Sequence, residues 1–248
     1  MEQSRKNFLK NFLIGATSVP LILEACKKDT LTDISTGTTT TTTGSTNTGS
    51  CAVTPTETAG PFPTITPSSL VRSDIRLDRT GVAFTINITV DNKSSSCAAL
   101  AGAIVDVWHC DKDGNYSEYG GTGMQTTNYT SVHFLRGRQT TDSNGLVTFT
   151  SIFPSWYSGR ATHVHVHIYN TAGTSLLITQ IAFPEAADSA VVTVNASTTN
   201  GYTKGMTGYT YNASDNVFSD DTTGAEIGII TGSITAGYVL SKTLYVAA

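Results

Sequence analysis

Apolar and polar residues alternate along much of this chain with a period of two, the pattern of strands that bury one face. Ala83–Val90 reads Ala-Phe-Thr-Ile-Asn-Ile-Thr-Val. Ala103–Trp108 is a second run, followed by the turn Asp111-Lys112-Asp113-Gly114. Leu146–Ile152 alternates after Asp142-Ser143-Asn144-Gly145. His163–Tyr169 and Leu176–Phe183 are separated by Thr171-Ala172-Gly173, and Val191–Val194, Ile227–Ile230 and the weaker Gly237–Val246 complete the set. No stretch combines helical periodicity with capping residues. Many short strands punctuated by turn residues predict an all-β fold, an antiparallel β-sandwich.

The first 50 residues read differently. Arg5, Lys6 and Lys10 precede an apolar stretch, Phe12–Leu23, that is too short to span a bilayer, which takes ~20 residues. It ends in Leu23-Glu24-Ala25-Cys26, which resembles a bacterial lipobox. Residues 1–25 are therefore expected to be a signal peptide, with Cys26 lipidated as the sole attachment to a membrane. Ser4-Arg5-Lys6-Asn7-Phe8-Leu9-Lys10 resembles a twin-arginine export motif, with Lys in the second Arg position. Residues 26–50 hold the lipidated cysteine and a Thr/Ser/Gly-rich linker, including Thr38–Thr43. Such a segment buries too little apolar surface to fold, so a disordered N-terminal tether is expected. As a coil it would span roughly 27 Å. Residues 51–248 are then the folded domain, exported and held at the cell envelope or surface.

Composition agrees. Charged residues are only 14% of the chain against 39% hydrophobic, and a typical globular domain is nearer ~25% charged. A net charge of -4 with no basic patch argues against a nucleic-acid partner. Cys51, Cys97 and Cys110 remain after Cys26. Outside the cytoplasm an odd count suggests one disulfide and one free thiol. Cys97 and Cys110 flank one predicted strand that holds them too far apart to bridge, which leaves Cys51 to pair with either; Cys51–Cys97 is the pair expected here. No Cys-x-x-Cys occurs, which leaves a structural zinc site without ligands.

Candidate chemistry lies in the strand His163–Tyr169. His163, His165 and His167 alternate, so all three project to one face. Neutral imidazole is a common metal ligand. The remaining histidines, His109 and His133, both lie upstream, so no later residue supplies a further nitrogen. Oxygen donors are then needed, and Tyr116 and Tyr157 are candidates near turns or strand ends. A phenol titrates near ~10. Only a strongly charged metal makes it a phenolate at neutral pH, which points to Fe(III) over zinc.

Five segments in order carry a resemblance. They are Thr58-Ala59-Gly60-Pro61-Phe62; Val105-Asp106-Val107-Trp108-His109 with Gly114-Asn115-Tyr116-Ser117; Arg136-Gly137-Arg138-Gln139-Thr140-Thr141-Asp142; Pro154-Ser155-Trp156-Tyr157; and Arg160-Ala161-Thr162-His163-Val164-His165. Together they resemble the intradiol ring-cleavage dioxygenases, from about Thr54 to at least Phe183 and more weakly through Asp215–Phe218. The resemblance implies Fe(III) held by Tyr116, Tyr157, His163 and His165, with His167 left as a packed or hydrogen-bonded strand residue. It implies an aromatic diol and O2 as substrates. Tyr157 would also take a proton, Arg160 would stabilise charge developing on the ring, and Gln180 would lie near the substrate. Two departures stand out: Ser155 replaces a usual Gly, and the gap from Tyr157 to Arg160 is short, so the substrate's identity does not carry over. The competing expectation is a non-enzymatic, prealbumin-like extracellular binding module, which needs no iron and tolerates loss of Tyr116.

Overall fold

A computed structural model describes residues 51–121 and 123–248. The expected signal peptide, the export motif, the lipidated Cys26 and the tether of residues 26–50 lie outside the described residues. Among the described residues, nine strands form two sheets. In chain order they are β1 (Ala83–Asn92), β2 (Ala98–Ala99), β3 (Ile104–Trp108), β4 (Arg136–Thr140), β5 (Leu146–Ile152), β6 (His163–Tyr169), β7 (Ser175–Ala182), β8 (Ile229–Ser233) and β9 (Gly237–Val246); one short helix, α1 (Ala190–Asn195), precedes β8. One sheet has the order β2-β1-β9-β8, with β5 also paired to β1; the other is β4-β3-β6-β7. The expected all-β sandwich is met. All pairings are antiparallel except β1 with β9, which run parallel from Phe84↔Tyr238 to Asn92↔Val246.

The alternation seen in the sequence fills the space between the sheets. Phe84, Ile86, Ile88 and Val90 of β1 face Val105, Val107, Val164, Val166 and Ile168 of the other sheet in one buried cluster, joined by Phe149, Leu240 and Leu244. Every one of these is at most 2 % exposed. Apolar area removed from water stabilises by about 25 cal/mol per Å², so this face decides the register of β6. A one-residue slip would exchange its valines for its histidines.

Two expected strands are corrected. Val191–Val194 is helix α1, not a strand: the Ser189 hydroxyl accepts from the Val192 N–H as N-cap, and Val191 and Val194, three apart, turn one face inward. Valine's β preference loses to a cap and a packing surface. The run at Ile227–Ile230 starts later, as β8 at Ile229, because Ile227 bridges to Ala182 of the opposite sheet. Strands β2 and β4 carry no apolar alternation and escape a reading based on it. Cys51 and Cys97 are bonded, with Cα atoms 6.1 Å apart, while Cys110 is a buried free thiol. Among the described residues, no helix is long and apolar enough to cross a membrane.

Candidate metal centre and active site

The outer face of β6 carries the site. Odd-numbered residues point away from the core, and the register sets His165 between Trp108 of β3 and Gln180 of β7. The Trp108 and His165 rings lie parallel, centroids 4.9 Å apart and planes within 1°. On the other side, a Cβ added to Gly60 would stand 2.8 Å from His165 Cε1, and Gly60 sits at φ +71, where a side chain is strained. An indole and a bare glycine backbone thus clamp the imidazole.

His163 and His165 present their Nε2 atoms to each other at 3.0 Å. His163 Nδ1 lies 2.6 Å from the Ala161 carbonyl oxygen. That oxygen can only accept, so Nδ1 carries the proton and Nε2 the lone pair. Burial lowers His163 to about 3, helped by the charge of Arg160. Burial also holds His165 well below its usual value, with His163 adding to it. Both rings are therefore neutral donors at pH 7.

Tyr116 follows the turn after β3. There Asp111 Oδ1 accepts from the Asp113 and Asn115 N–H groups. A side chain at Gly114 would collide with the Trp156 carbonyl. Gln125 locks the tyrosine's backbone by accepting from its N–H and donating to its carbonyl, at 2.6 and 2.8 Å. The Tyr116 ring stacks on Phe62 at 4.8 Å, and its hydroxyl lies 3.3 Å from His163 Nε2. Tyr157 meets Tyr116 edge-on at 5.6 Å and His163 at 5.7 Å, with ring planes at 80° and 65°. Burial raises both phenols, the fully buried Tyr116 far and the less buried Tyr157 less, with the charge of Arg160 opposing the rise in both.

Two neutral imidazoles and two buried phenols, converging with no carboxylate among them, make a donor set of defined chemistry. Burial alone would keep both phenols protonated. A hard cation of high charge at the convergence point reverses that, as metal ions do for bound thiols and water. The residues therefore fit Fe(III).

Arg160 links these groups to a cleft. Its Nη1 donates to the Tyr157 hydroxyl at 3.2 Å, its Nη2 to Gln180 Oε1 at 2.6 Å, and its Nε to Asp215. Gln180 Nε2 in turn donates to the Thr58 carbonyl at 2.8 Å. Tyr157 and Arg160 line a cleft of about 430 Å³ together with Thr58, Gly60, Pro61, Met124, Ser158, Gly159 and Asn216. Tyr116, Tyr157, His163, His165, Arg160 and Gln180 thus meet in one place. His167 does not: it is half-exposed, stacks on Tyr169 at 3.9 Å and bonds Ser175 Oγ at 2.8 Å. The buried Ser155, in the place of a usual Gly, donates its hydroxyl to Asn195 of α1.

Sequence reasoning missed several supports. Arg136, fully buried, donates to Ser117 and to the Phe62 carbonyl, tying the Tyr116 turn to the loop over His165. Burial lowers it to about 10. Its place at the head of the Arg136–Asp142 motif was the available signal. Asp215 lay in the weakly matching Asp215–Phe218 segment, and Gln125 carried no signal.

The comparisons point the same way. A family profile described as Dioxygenase matches residues 66–203, more than half of the chain. A chlorocatechol 1,2-dioxygenase from Rhodococcus opacus is 30% identical over 110 residues, which cover 37% of this chain and 40% of that relative's length. An intradiol ring-cleavage dioxygenase from Tetranychus urticae superposes with a TM-score of 0.66 at 26% identity, covering 79% of this chain and 95% of that one. The dioxygenase domain of a carbohydrate-binding fusion protein from Streptomyces sp. SirexAA-E shares the fold, with a TM-score of 0.55 at 22% identity over 79% of this chain and 99% of that one. With the matched profile and this set of converging residues, the chain belongs to the intradiol ring-cleavage dioxygenase family.

Proposed function

We propose that this chain is a non-haem iron(III) enzyme that opens aromatic ortho-diols between the two hydroxyl-bearing carbons, adding both atoms of O2 to give a muconate-type diacid. The observation that carries this reading is the convergence of Tyr116, Tyr157, His163 and His165 beside a cleft walled by Arg160. Iron(III), held by those four residues, supplies a Lewis acid that draws electron density from a bound diol.

The chain's own groups do the rest. Tyr157 lines the cleft, so its oxygen is the one an incoming hydroxyl meets first and the one that takes its proton. Arg160 sits 3.2 Å from that oxygen. Its fixed charge favours negative charge developing on the ring, at low cost because the group is already oriented by Gln180 and Asp215. Gln180 has its amide spent on the Thr58 carbonyl, so it acts by holding Arg160 and the Thr58 segment together. Phe62, Trp108 and Phe218 line the surroundings with apolar surface, which limits water. The proposal includes export and attachment through a lipid on Cys26, which the Leu-Glu-Ala-Cys sequence supports.

Iron content, visible absorption and uptake of ¹⁸O2 with catechol as probe test the reading. Expected are about one iron per chain, a reddish colour from tyrosinate bound to iron, and both labelled atoms in the ring-opened product. Arg160→Ala should keep the colour and turn over slowly. A colourless, active protein carrying zinc or copper would sink the proposal, and an inert iron-free protein would favour the binding-module alternative. Mass spectrometry of the membrane fraction reads the lipid on Cys26.

A further inference from the structure

Between β5, which ends at Ile152, and β6, which begins at His163, the chain runs through ten residues that belong to neither a strand nor a helix. They carry Tyr157 and Arg160 and lead directly into His163. Such backbone has no ladder of its own, so its polar groups must find partners elsewhere. One stretch of loop, residues 202–209, supplies several of them. The Tyr202 hydroxyl donates to the Phe153 carbonyl at 2.7 Å. Lys204 Nζ donates to the Trp156 carbonyl at 2.6 Å and lies 3.8 Å from the centroid of the same residue's indole. The indole N–H donates to the Gly205 carbonyl at 2.9 Å, and the Tyr209 ring meets the indole edge-on at 5.7 Å. The Tyr209 hydroxyl accepts from the Thr162 N–H at 2.9 Å.

Two of these contacts fall on peptide units that govern ligand candidates. A peptide unit is planar, so fixing its oxygen fixes the nitrogen and Cα that follow. The Trp156 carbonyl and the Tyr157 nitrogen share one unit. Lys204, holding the oxygen, sets the direction in which the Tyr157 side chain leaves the backbone. Gly114, two residues before Tyr116, makes room for that hold: an added Cβ there would collide with the Trp156 oxygen and stand 3.0 Å from Lys204 Nζ. The Ala161 carbonyl and the Thr162 N–H share a second unit. Tyr209 holds it by the N–H, and the carbonyl at its other end accepts from His163 Nδ1 at 2.6 Å, the contact that leaves Nε2 with its lone pair. A ligand histidine is commonly oriented by such a carbonyl on its second ring nitrogen.

We propose that Lys204 and Tyr209 are positioning residues for iron, Lys204 aiming the Tyr157 phenol through the Trp156–Tyr157 peptide and Tyr209 aiming His163 Nε2 through the Ala161–Thr162 peptide. The proposal rests on the iron reading above and adds to it two residues that do not line the cleft. Apolar side chains would fill the same places. An unbranched apolar stem would cover the indole as the lysine's does, and a phenylalanine ring would pack where the Tyr209 ring does. What the ammonium and the hydroxyl add is direction, one hydrogen bond each on a particular peptide. The Tyr209 hydroxyl is itself fixed, because it donates to Glu185 Oε1 at 2.6 Å while Glu185 Oε2 accepts from the Asn212 N–H. Contact between the Tyr209 and Trp156 rings joins the two holds, so one loop registers a phenol and an imidazole against each other.

The test compares variants of the iron-loaded full chain. Lys204→Met and Tyr209→Phe remove the ammonium and the hydroxyl and keep the bulk. Competition with the chelator nitrilotriacetate reads iron affinity, the tyrosinate-to-iron absorption band reads geometry at the metal, and urea unfolding of the iron-free chain reads structure alone. Each variant should bind iron about 10–100-fold more weakly, the usual cost of losing a group behind a ligand, and its band should shift. Lys204→Arg keeps a donor beside the indole and should recover part of the lost affinity. Lys112→Met is the control: Lys112 donates to the Gly201 carbonyl at the start of the same loop, so its loss should leave iron affinity unchanged. Wild-type affinity with an unmoved band in either Lys204→Met or Tyr209→Phe overturns the proposal, even where the iron-free chain is less stable, since that describes a structural role and nothing more. An equal loss in Lys112→Met also overturns it, because general loosening of the loop then explains the effect. A wild type that takes up no iron defeats the iron reading itself and this proposal with it.

Discussion

Arg160 Nε donates to both oxygens of Asp215, at 3.1 and 2.9 Å, with the carboxylate fully buried and the guanidinium nearly so. The same carboxylate accepts from the backbone N–H groups of Ala161 and Val217. Asp215 thus fixes the residue that leads into β6 and the arginine that walls the cleft. Removing it leaves an unpaired buried cation, a loss of about 3–5 kcal/mol. Asp215→Ala should show that loss in urea unfolding, and Asp215→Ala with Arg160→Met should recover part of it. A cost under about 1 kcal/mol for Asp215→Ala would mean the pair is not an energetic unit.

His163→Ala and His165→Ala should each lose iron and colour together. His167→Ala should keep both, because its ring bonds Ser175 and Tyr169 on the far half of β6. Its cost should be about 1 kcal/mol, the worth of an ordinary hydrogen bond. Metal analysis of the three variants decides the register. Bleaching by His167→Ala with retention by His163→Ala would move the ligand pair two residues along the strand.

Gly60→Ala sets a methyl 2.8 Å from His165 Cε1 and strains a backbone at φ +71. Gly159 is at φ +82 with nothing within 4 Å of an added Cβ, so Gly159→Ala carries the strain alone. Both should lose about 1–2 kcal/mol from the left-handed backbone. Only Gly60→Ala should also lower iron occupancy. Equal iron in the two proteins would show that the glycine is needed for the turn and not for His165.

His109 gives a pH dependence with a defined sign. It is buried between the Cys110 carbonyl and the Ser151 hydroxyl. Burial, with some help from Arg136, lowers it to about 4 against the opposing Cys110 carbonyl. An unfolded histidine titrates near ~6.5. The unfolded chain therefore takes up a proton first, and stability is full above about pH 6.5 and falls as pH drops towards 4, by up to about 3 kcal/mol. His109→Gln should flatten that part of a stability–pH curve. An unchanged slope would assign the acid sensitivity to other groups.

How much of this was legible depends on which residues carry two signals at once. In β6 the valines mark the core face and the histidines mark the opposite one, so strand, orientation and ligand candidates come from seven letters. β1 is as plain. β4, Arg136–Thr140, is polar throughout because Arg136 is buried against carbonyls and a hydroxyl, not against a greasy core. Alternation cannot report that kind of burial. Val191–Val194 misleads in the other direction, since four residues of strong β preference are overruled by the hydroxyl of Ser189. Strand geometry excluded only Cys97 with Cys110; nothing in the sequence separated Cys51–Cys97, the pair that forms, from Cys51–Cys110. The partnership of Arg160 with Asp215 was not legible either, because 55 residues separate them and no local pattern connects a loop aspartate to a distant arginine.

The parallel pairing of β1 with β9 has a consequence for how the chain reaches this state. Phe84 meets Tyr238 across more than 150 residues, and nine such partners follow one another along the two strands. Contacts this remote in sequence carry a large loop-closure cost and form slowly. Until residues 237–246 have left the ribosome, one edge of β1 lies open while β5 already covers the other. An open, apolar edge of that length invites pairing with a second chain. Nascent protein is therefore most prone to aggregate late in synthesis, and any device that delays collapse until β9 is available would raise the yield of folded enzyme more than a stronger core would.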